Sequence, residues 1–167
     1  LLNSKYNVDY HIRAFNKLCM MLNGYVSKMI VSFVDDYKNV RNNHLDYHEP
    51  SNEEYLTLKE AFEKNDIKVV SCMENKYHIG DKNDCCVSIK YAFERTGKFY
   101  KEWKARDCHC VNMVDIGAYN SCLHGCKYCY ANFDSKQIMS NYKMHDPKSS
   151  LLIGQLSFDD QIKVRRK

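Results

Sequence analysis

The sequence predicts an α/β fold, a parallel, barrel-like sheet with alternating helices, followed by an irregular cysteine-rich segment suited to metal binding. Three observations predict it. The first half alternates helix-period segments with short β-branched runs; that pattern fades after about Asn75; and five of the nine cysteines crowd into residues 108–129. A length of 167 residues suits one domain. The expected organisation is an α/β scaffold over residues 1–75 and a cysteine-rich metal-cluster region over residues 76–167, packed together.

The first helix is expected to start after Asn7 as N-cap and to run to about Leu22, because Val8, Ile12, Phe15, Cys19 and Leu22 recur at three- and four-residue spacing. Asn23-Gly24 stops it. Residues 29–34 (Met-Ile-Val-Ser-Phe-Val) then read as a buried strand ending in Asp35-Asp36, and residues 37–50 as a polar loop. Ser51-Asn52-Glu53-Glu54 has the form of a capping box, opening a helix to about Asn65 whose buried stripe is Tyr55, Leu58 and Phe62. Residues 67–72 read as a second strand. Strands alternating with helices argue for parallel pairing. Short helices are expected over residues 87–96 and 159–166.

Composition narrows the function. Hydrophobic residues make up 44%, charged residues 28%, and the mean hydropathy is −0.60, a globular balance; no apolar run nears the ~20 residues that span a bilayer. The net charge of +4 comes from interspersed charges, and the one basic cluster is the tail Lys163-Val164-Arg165-Arg166-Lys167. That pattern reads as a solvated tail and argues against nucleic acid as a partner. The chain opens Leu1-Leu2-Asn3-Ser4-Lys5-Tyr6, without the pattern of an export signal, so nine cysteines point to metal ligation or thiol chemistry in the cytoplasm.

Cys122, Cys126 and Cys129 have the spacing C-x3-C-x2-C. One short loop can then bring three thiolates round one centre, with Gly125 permitting the tight backbone. Three thiolates can hold three irons of a 4Fe-4S cluster and leave the fourth iron open. The loop resembles that of radical S-adenosylmethionine enzymes, where the methionine moiety takes the open iron, and Tyr128 stands where those enzymes have an aromatic residue near the adenine. Zinc is the competing occupant, since tetrahedral sulfur sites combine cysteine pairs, for instance Cys108 and Cys110 with Cys126 and Cys129. Cys19 lies on the apolar stripe of the first helix and reads as a core residue. Cys72, Cys86, Cys108 and Cys110 suggest a second site, cluster or zinc; in a plainer reading Cys72 is simply buried in the sheet and only Cys108 and Cys110 bind anything.

Residues Val114-Asp115-Ile116-Gly117-Ala118-Tyr119-Asn120-Ser121-Cys122 and Cys129-Tyr130-Ala131-Asn132 closely resemble the signature of a bacterial family, domain of unknown function 1848. Tyr6 to Phe15, Ser32-Phe33-Val34-Asp35, Cys108-His109-Cys110, His145-Asp146-Pro147 and Ser149-Ser150-Leu151-Leu152-Ile153-Gly154 add to it, as does Cys86, a better match than Cys85. The resemblance implies a radical-enzyme-like cysteine cluster, a C-terminal part of a longer protein and hence a partial barrel. The missing N-terminal part or a partner chain would complete the sheet, and the isolated chain would have limited stability. Only 38 residues follow Cys129, whereas radical enzymes place this loop after the first strand, and no Gly-Gly-Glu-like segment is present. The reaction implied is of radical S-adenosylmethionine type, in which the reduced cluster cleaves that cofactor, on an unknown substrate; a non-catalytic zinc or electron-transfer module is the alternative.

Among other polar residues, Asp35 and Asp36 end a strand, where α/β folds place ligands. His109, His124 and His145 are candidates to tune a metal centre. Asp115 is expected to hold the loop backbone.

Overall fold

The computed structural model describes residues 1–72, 74, 76–104 and 108–163. Its elements are α1 (Val8–Leu22), β1 (Lys28–Val31), α2 (Lys38–Asn42), α3 (Asn52–Glu63), β2 (Lys68–Ser71), α4 (Ile89–Thr96) and α5 (Ser135–Lys143). The chain divides into two units: unit 1 comprises Leu1–Asp35 and Asp46–Val114, and unit 2 comprises Asp36–Leu45 and Asp115–Lys167.

In unit 1, α1 is capped as its sequence requires. The Asn7 side chain accepts from the Tyr10 N–H at 2.9 Å, and Gly24 turns the chain away at φ +82°. At the start of α3 the Glu54 N–H donates to Ser51 Oγ while the Ser51 N–H donates to Glu54 Oε2, so two donors that the first turn leaves unpaired are satisfied. The faces of these helices meet through Phe15 and Phe62, whose rings stack with centroids 4.1 Å apart. Leu2, Cys19, Leu58, Ile67, Val69 and Ile79 complete the core, each large apolar side chain contributing about 1.5–3 kcal/mol by leaving water. Cys19 is a core residue as expected, with its thiol 3.6 Å from Met29 Sδ.

β1 and β2 pair in parallel, Lys28 opposite Lys68 through Val31 opposite Ser71. Both strands are shorter than expected. After Val31 the chain leaves the ladder, and the Phe33 N–H donates to the Glu74 carboxylate at 2.6 Å instead of to a strand neighbour. Among the described residues these two strands form the whole sheet, so no barrel is closed. The far edge of β2 is covered by the segment around Ile79: the Ser71 N–H donates to the Ile79 carbonyl at 2.8 Å and Val70 bridges Gly80 antiparallel. Gly80 has φ +84°, and a Cβ there would lie 2.1 Å from the Val69 carbonyl oxygen. Glycine is required by both conformation and space.

Unit 2 holds two helices that the sequence reading did not place. The stretch 37–50, expected as loop, contains α2, which buries Val40 completely. Apolar spacing in so short a helix is too sparse to register as a period. α5 is capped by Asp134, whose carboxylate accepts from the Lys136 and Gln137 N–H groups. The helix expected at residues 159–166 is absent over 159–163; residues 164–167, including most of the basic tail, lie outside the described residues. No helix among the described residues is long and apolar enough to cross a membrane.

Candidate metal centre

Three loops of unit 1 bring cysteines together. Cys72 follows the last residue of β2. Cys85 and Cys86 follow a turn in which Asp81 accepts from the Asn83 N–H at 2.9 Å and Asp84 from the Cys85 N–H at 2.7 Å. Asp84 is fixed in turn by Lys28 at 3.2 Å and Lys68 at 2.7 Å, one lysine from each strand, so the sheet itself positions this turn. Cys110 lies in a small antiparallel arrangement, bridging Ser88 while Val111 bridges Glu102. The Val111 N–H donates to Val87 and the Trp103 N–H to the Cys110 carbonyl.

The Cys86 and Cys110 sulfurs are 3.0 Å apart and the Cys72 and Cys86 sulfurs 3.4 Å apart. All three Sγ atoms fall within 4.8 Å of one another. Cys110 is buried, and Cys72 and Cys86 are half-buried. Four thiolates round one zinc ion, with Zn–S bonds of about 2.3 Å, stand about 3.8 Å apart along the tetrahedron edges. The three sulfurs are therefore gathered at the scale of a single ion and can hold one. Thiolates on separate irons of a cubane are kept farther apart by the cluster between them.

The protonation pattern fits a donor set waiting for a cation. Burial pushes the Cys72, Cys85, Cys86 and Cys108 thiols up. Cys110 goes the other way: burial opposes its ionisation, but hydrogen bonds from the Val87 backbone and from the Cys86, Cys108 and Cys85 thiols outweigh it and lower its pKa. Cys110 is thus the thiol of the group most readily ionised, and a divalent cation bound here would displace the protons that burial keeps on its neighbours. Cys108 belongs to this hydrogen-bonded set through Cys110, which leaves it beside the trio. The Cys85 thiol donates to the His109 carbonyl at 3.0 Å. His109 is exposed, with Nδ1 2.9 Å from Glu102.

The loop of Cys122, Cys126 and Cys129 belongs to unit 2. Its neck is closed by the Asn120 N–H donating to the Ala131 carbonyl at 2.9 Å and by Asn132 Nδ2 donating to the Cys122 carbonyl at 2.6 Å. Asn120 is buried, at φ +54°, and its side chain accepts from the Phe133 and Asp134 N–H groups. From α5, Asn141 donates to the Asn120 carbonyl. From α2 and its C-cap, Asn39 and Asn43 donate to the Tyr130 and Lys127 carbonyls, each at 3.0 Å. Within the loop, the Cys129 N–H donates to the Cys126 carbonyl at 3.1 Å, and Gly125 takes φ +62°. Cys122, Cys126, Tyr128 and His124 are exposed and Cys129 is half-buried. Among the described residues, the loop sulfurs do not form a second group within 4.8 Å, a spacing that a single ion needs and a cubane does not.

The asparagine frame was missed in the sequence, although Asn39 and Asn43 sit four apart on one helical face. Asp36 pairs with Arg41 at 2.7 Å, which makes it part of the α2 start. Asp35 lies near Glu74, whose carboxyl is pushed up by burial and, to a lesser extent, by the Asp35 charge. Asp115 accepts from the Gly117 N–H at 2.8 Å, holding the backbone before the loop. His145 bonds the Leu152 carbonyl and so shapes the segment after α5.

Fold and site together define a thiol-rich α/β protein with a metal-competent trio of cysteines in one unit and an exposed three-cysteine loop in the other. The chain belongs to the family described as "Domain of unknown function (DUF1848)", which matches residues 1–131. Of the segments that carried the resemblance, those from His145 to Gly154 lie beyond that match. No curated protein and no solved structure matches the chain.

Proposed function

We propose that this is a two-centre metalloprotein in which Cys72, Cys86 and Cys110, with Cys108 as fourth donor, hold one tetrahedral zinc ion, and the Cys122-Cys126-Cys129 loop holds a 4Fe-4S cluster. The observation that carries the first half is the gathering of three sulfurs within 4.8 Å, the scale of a single ion. A zinc ion there ties the end of β2 to the Cys86 turn and the Cys110 segment, three pieces of chain with little regular structure between them, and so stabilises unit 1.

The cluster reading is supported by the loop's three thiols, two exposed and Cys129 half-buried, on a backbone held by five asparagine side chains. When bound, a cluster of this kind supplies one electron at low potential, and with an open iron it supplies the reductive cleavage of S-adenosylmethionine. The chain's own part is to present three thiols on a hydrogen-bonded frame, and the exposed Tyr128 is the residue that would lie against a ligand's ring. Reduced thiols of both kinds suit the cytoplasm. Among the described residues one edge of β1 carries no strand, and it suits further strands from another part of the same protein or from a partner chain.

Metal analysis of anaerobically prepared protein tests both halves. The expected result is about one zinc and about four irons per chain, zinc falling in Cys110→Ser and iron falling in Cys122→Ser. Iron without zinc would refute the zinc centre. A colourless protein after anaerobic reconstitution would refute the cluster, and reduced clusters yielding no 5′-deoxyadenosine from S-adenosylmethionine would refute the radical chemistry.

A further inference from the structure

Unit 1 also contains an open cleft of about 640 Å³ between the turn after α1 and the helix α4, with Tyr25, Ser27, Lys28, Cys86, Tyr91 and Arg95 in its walls. Its charge is one-sided, since no carboxylate lines it among the described residues. Two cations flank a single ring: the Arg95 guanidinium lies 5.4 Å and the Lys28 ammonium 6.0 Å from the Tyr91 centroid. Lys28 is held by Asp84 and the Cys85 carbonyl, but Asp84 is shared with Lys68, so one negative charge serves two positive ones. Arg95 has no carboxylate partner among the described residues. Tyr25, also in the lining, is 86% exposed, a large ring left to solvent.

We propose that this cleft binds a small planar anion, an aromatic carboxylate or phosphate monoester, with its charged group on Arg95 and its ring against Tyr25. A planar guanidinium recognises a carboxylate or phosphate with two parallel donors, and the Lys28 ammonium in the same lining adds to the positive field. Tyrosine faces supply the apolar contact for a ring, as expected of a site that combines aromatic walls with a few polar groups. Cys86 forms part of the wall, so a ligand seated here would lie beside one member of the thiol trio. The proposal stands on the cleft alone and holds whether or not a metal occupies that trio.

The test is a titration of the isotope-labelled 167-residue chain with phenyl phosphate, followed by amide chemical shifts, with phenol as the neutral control. Saturable shifts are expected in the turn after α1 and along α4, at most weak in phenol. Arg95→Gln is expected to weaken binding by about tenfold and Arg95→Glu to abolish it, as loss of a charge-assisted contact predicts. Arg95 is exposed and caps nothing, so its variants should keep the wild-type spectrum elsewhere; should Arg95→Glu perturb the fold, Arg95→Gln alone decides. Absence of saturable shifts, equal shifts with phenol, or unchanged affinity in Arg95→Gln would overturn the proposal.

Discussion

Replacing Gly80 by alanine should destabilise unit 1 by about 3 kcal/mol, the sum of two costs. Holding a residue with a Cβ at φ +84° costs about 1 kcal/mol relative to glycine. The new methyl would also stand 2.1 Å from the Val69 carbonyl oxygen and 3.2 Å from Val70 Cα. Both are backbone atoms of β2 and cannot rotate away as a side chain could. Relieving the contact means prying the Ile79–Gly80 segment off β2, an overpacking cost of about 1–3 kcal/mol. Gly24 provides the control, because its φ is +82° but a Cβ there meets nothing within 4 Å; Gly24→Ala should therefore lose only the conformational part. Urea unfolding of both variants, at a fixed metal content, gives the comparison through the midpoints at unchanged slope. Equal losses in the two variants, or a loss below about 1 kcal/mol at Gly80, would refute the argument from close approach.

Phe62→Ala should cost about 3–5 kcal/mol, the range for truncating a buried aromatic, because it removes both the Phe15 stack and the centre of the core; urea unfolding measures it. Asp84 is held down to about 2: burial opposes its ionisation, but Lys68, the Cys85 N–H and Lys28 outweigh it. Since its folded pKa lies below the ordinary carboxylate value of about 4, its contribution is present above pH 4 and is lost as pH falls toward 2. Asp84→Asn should accordingly be about 1–2 kcal/mol less stable than wild type at pH 6, with the gap closing by about pH 2 in acid-unfolding curves. Zinc uptake at neutral pH should release about two to three protons, from the thiols that burial keeps protonated, which calorimetry in buffers of different ionisation heat will count. Release of none would contradict the protonation pattern of the trio.

Legibility in the sequence followed the physical signals. Asn7, the α1 stripe and the Ser51–Glu54 box were readable because caps and three-to-four spacing are local, and the parallel pairing of the two strands followed from their alternation with helices. Strand ends were not, since Val31 and Ser71 end their strands where a neighbour's carboxylate and the chain after the strand redirect the backbone. α2 and α5 were missed because their interactions are polar: asparagine side chains grip distant carbonyls, which leaves no hydrophobic period. At the site, Cys72, Cys86 and Cys110 were singled out as a set with Cys108, and the structure gathers the first three. What the sequence could not rank was which cysteine group is compact. Crowding along the chain pointed to residues 122–129, whereas the closest sulfurs come from three separate loops brought together by the Lys28–Asp84–Lys68 contacts and the bridge from Ser88 to Cys110.

X-ray absorption at the zinc edge of the zinc-loaded protein tests the compact trio most directly. The account predicts a shell of three to four sulfurs at about 2.3 Å with no neighbouring metal, reduced by one sulfur or lost in Cys86→Ser. A shell dominated by nitrogen and oxygen, or one unchanged in Cys72→Ser, Cys86→Ser and Cys110→Ser alike, would contradict it.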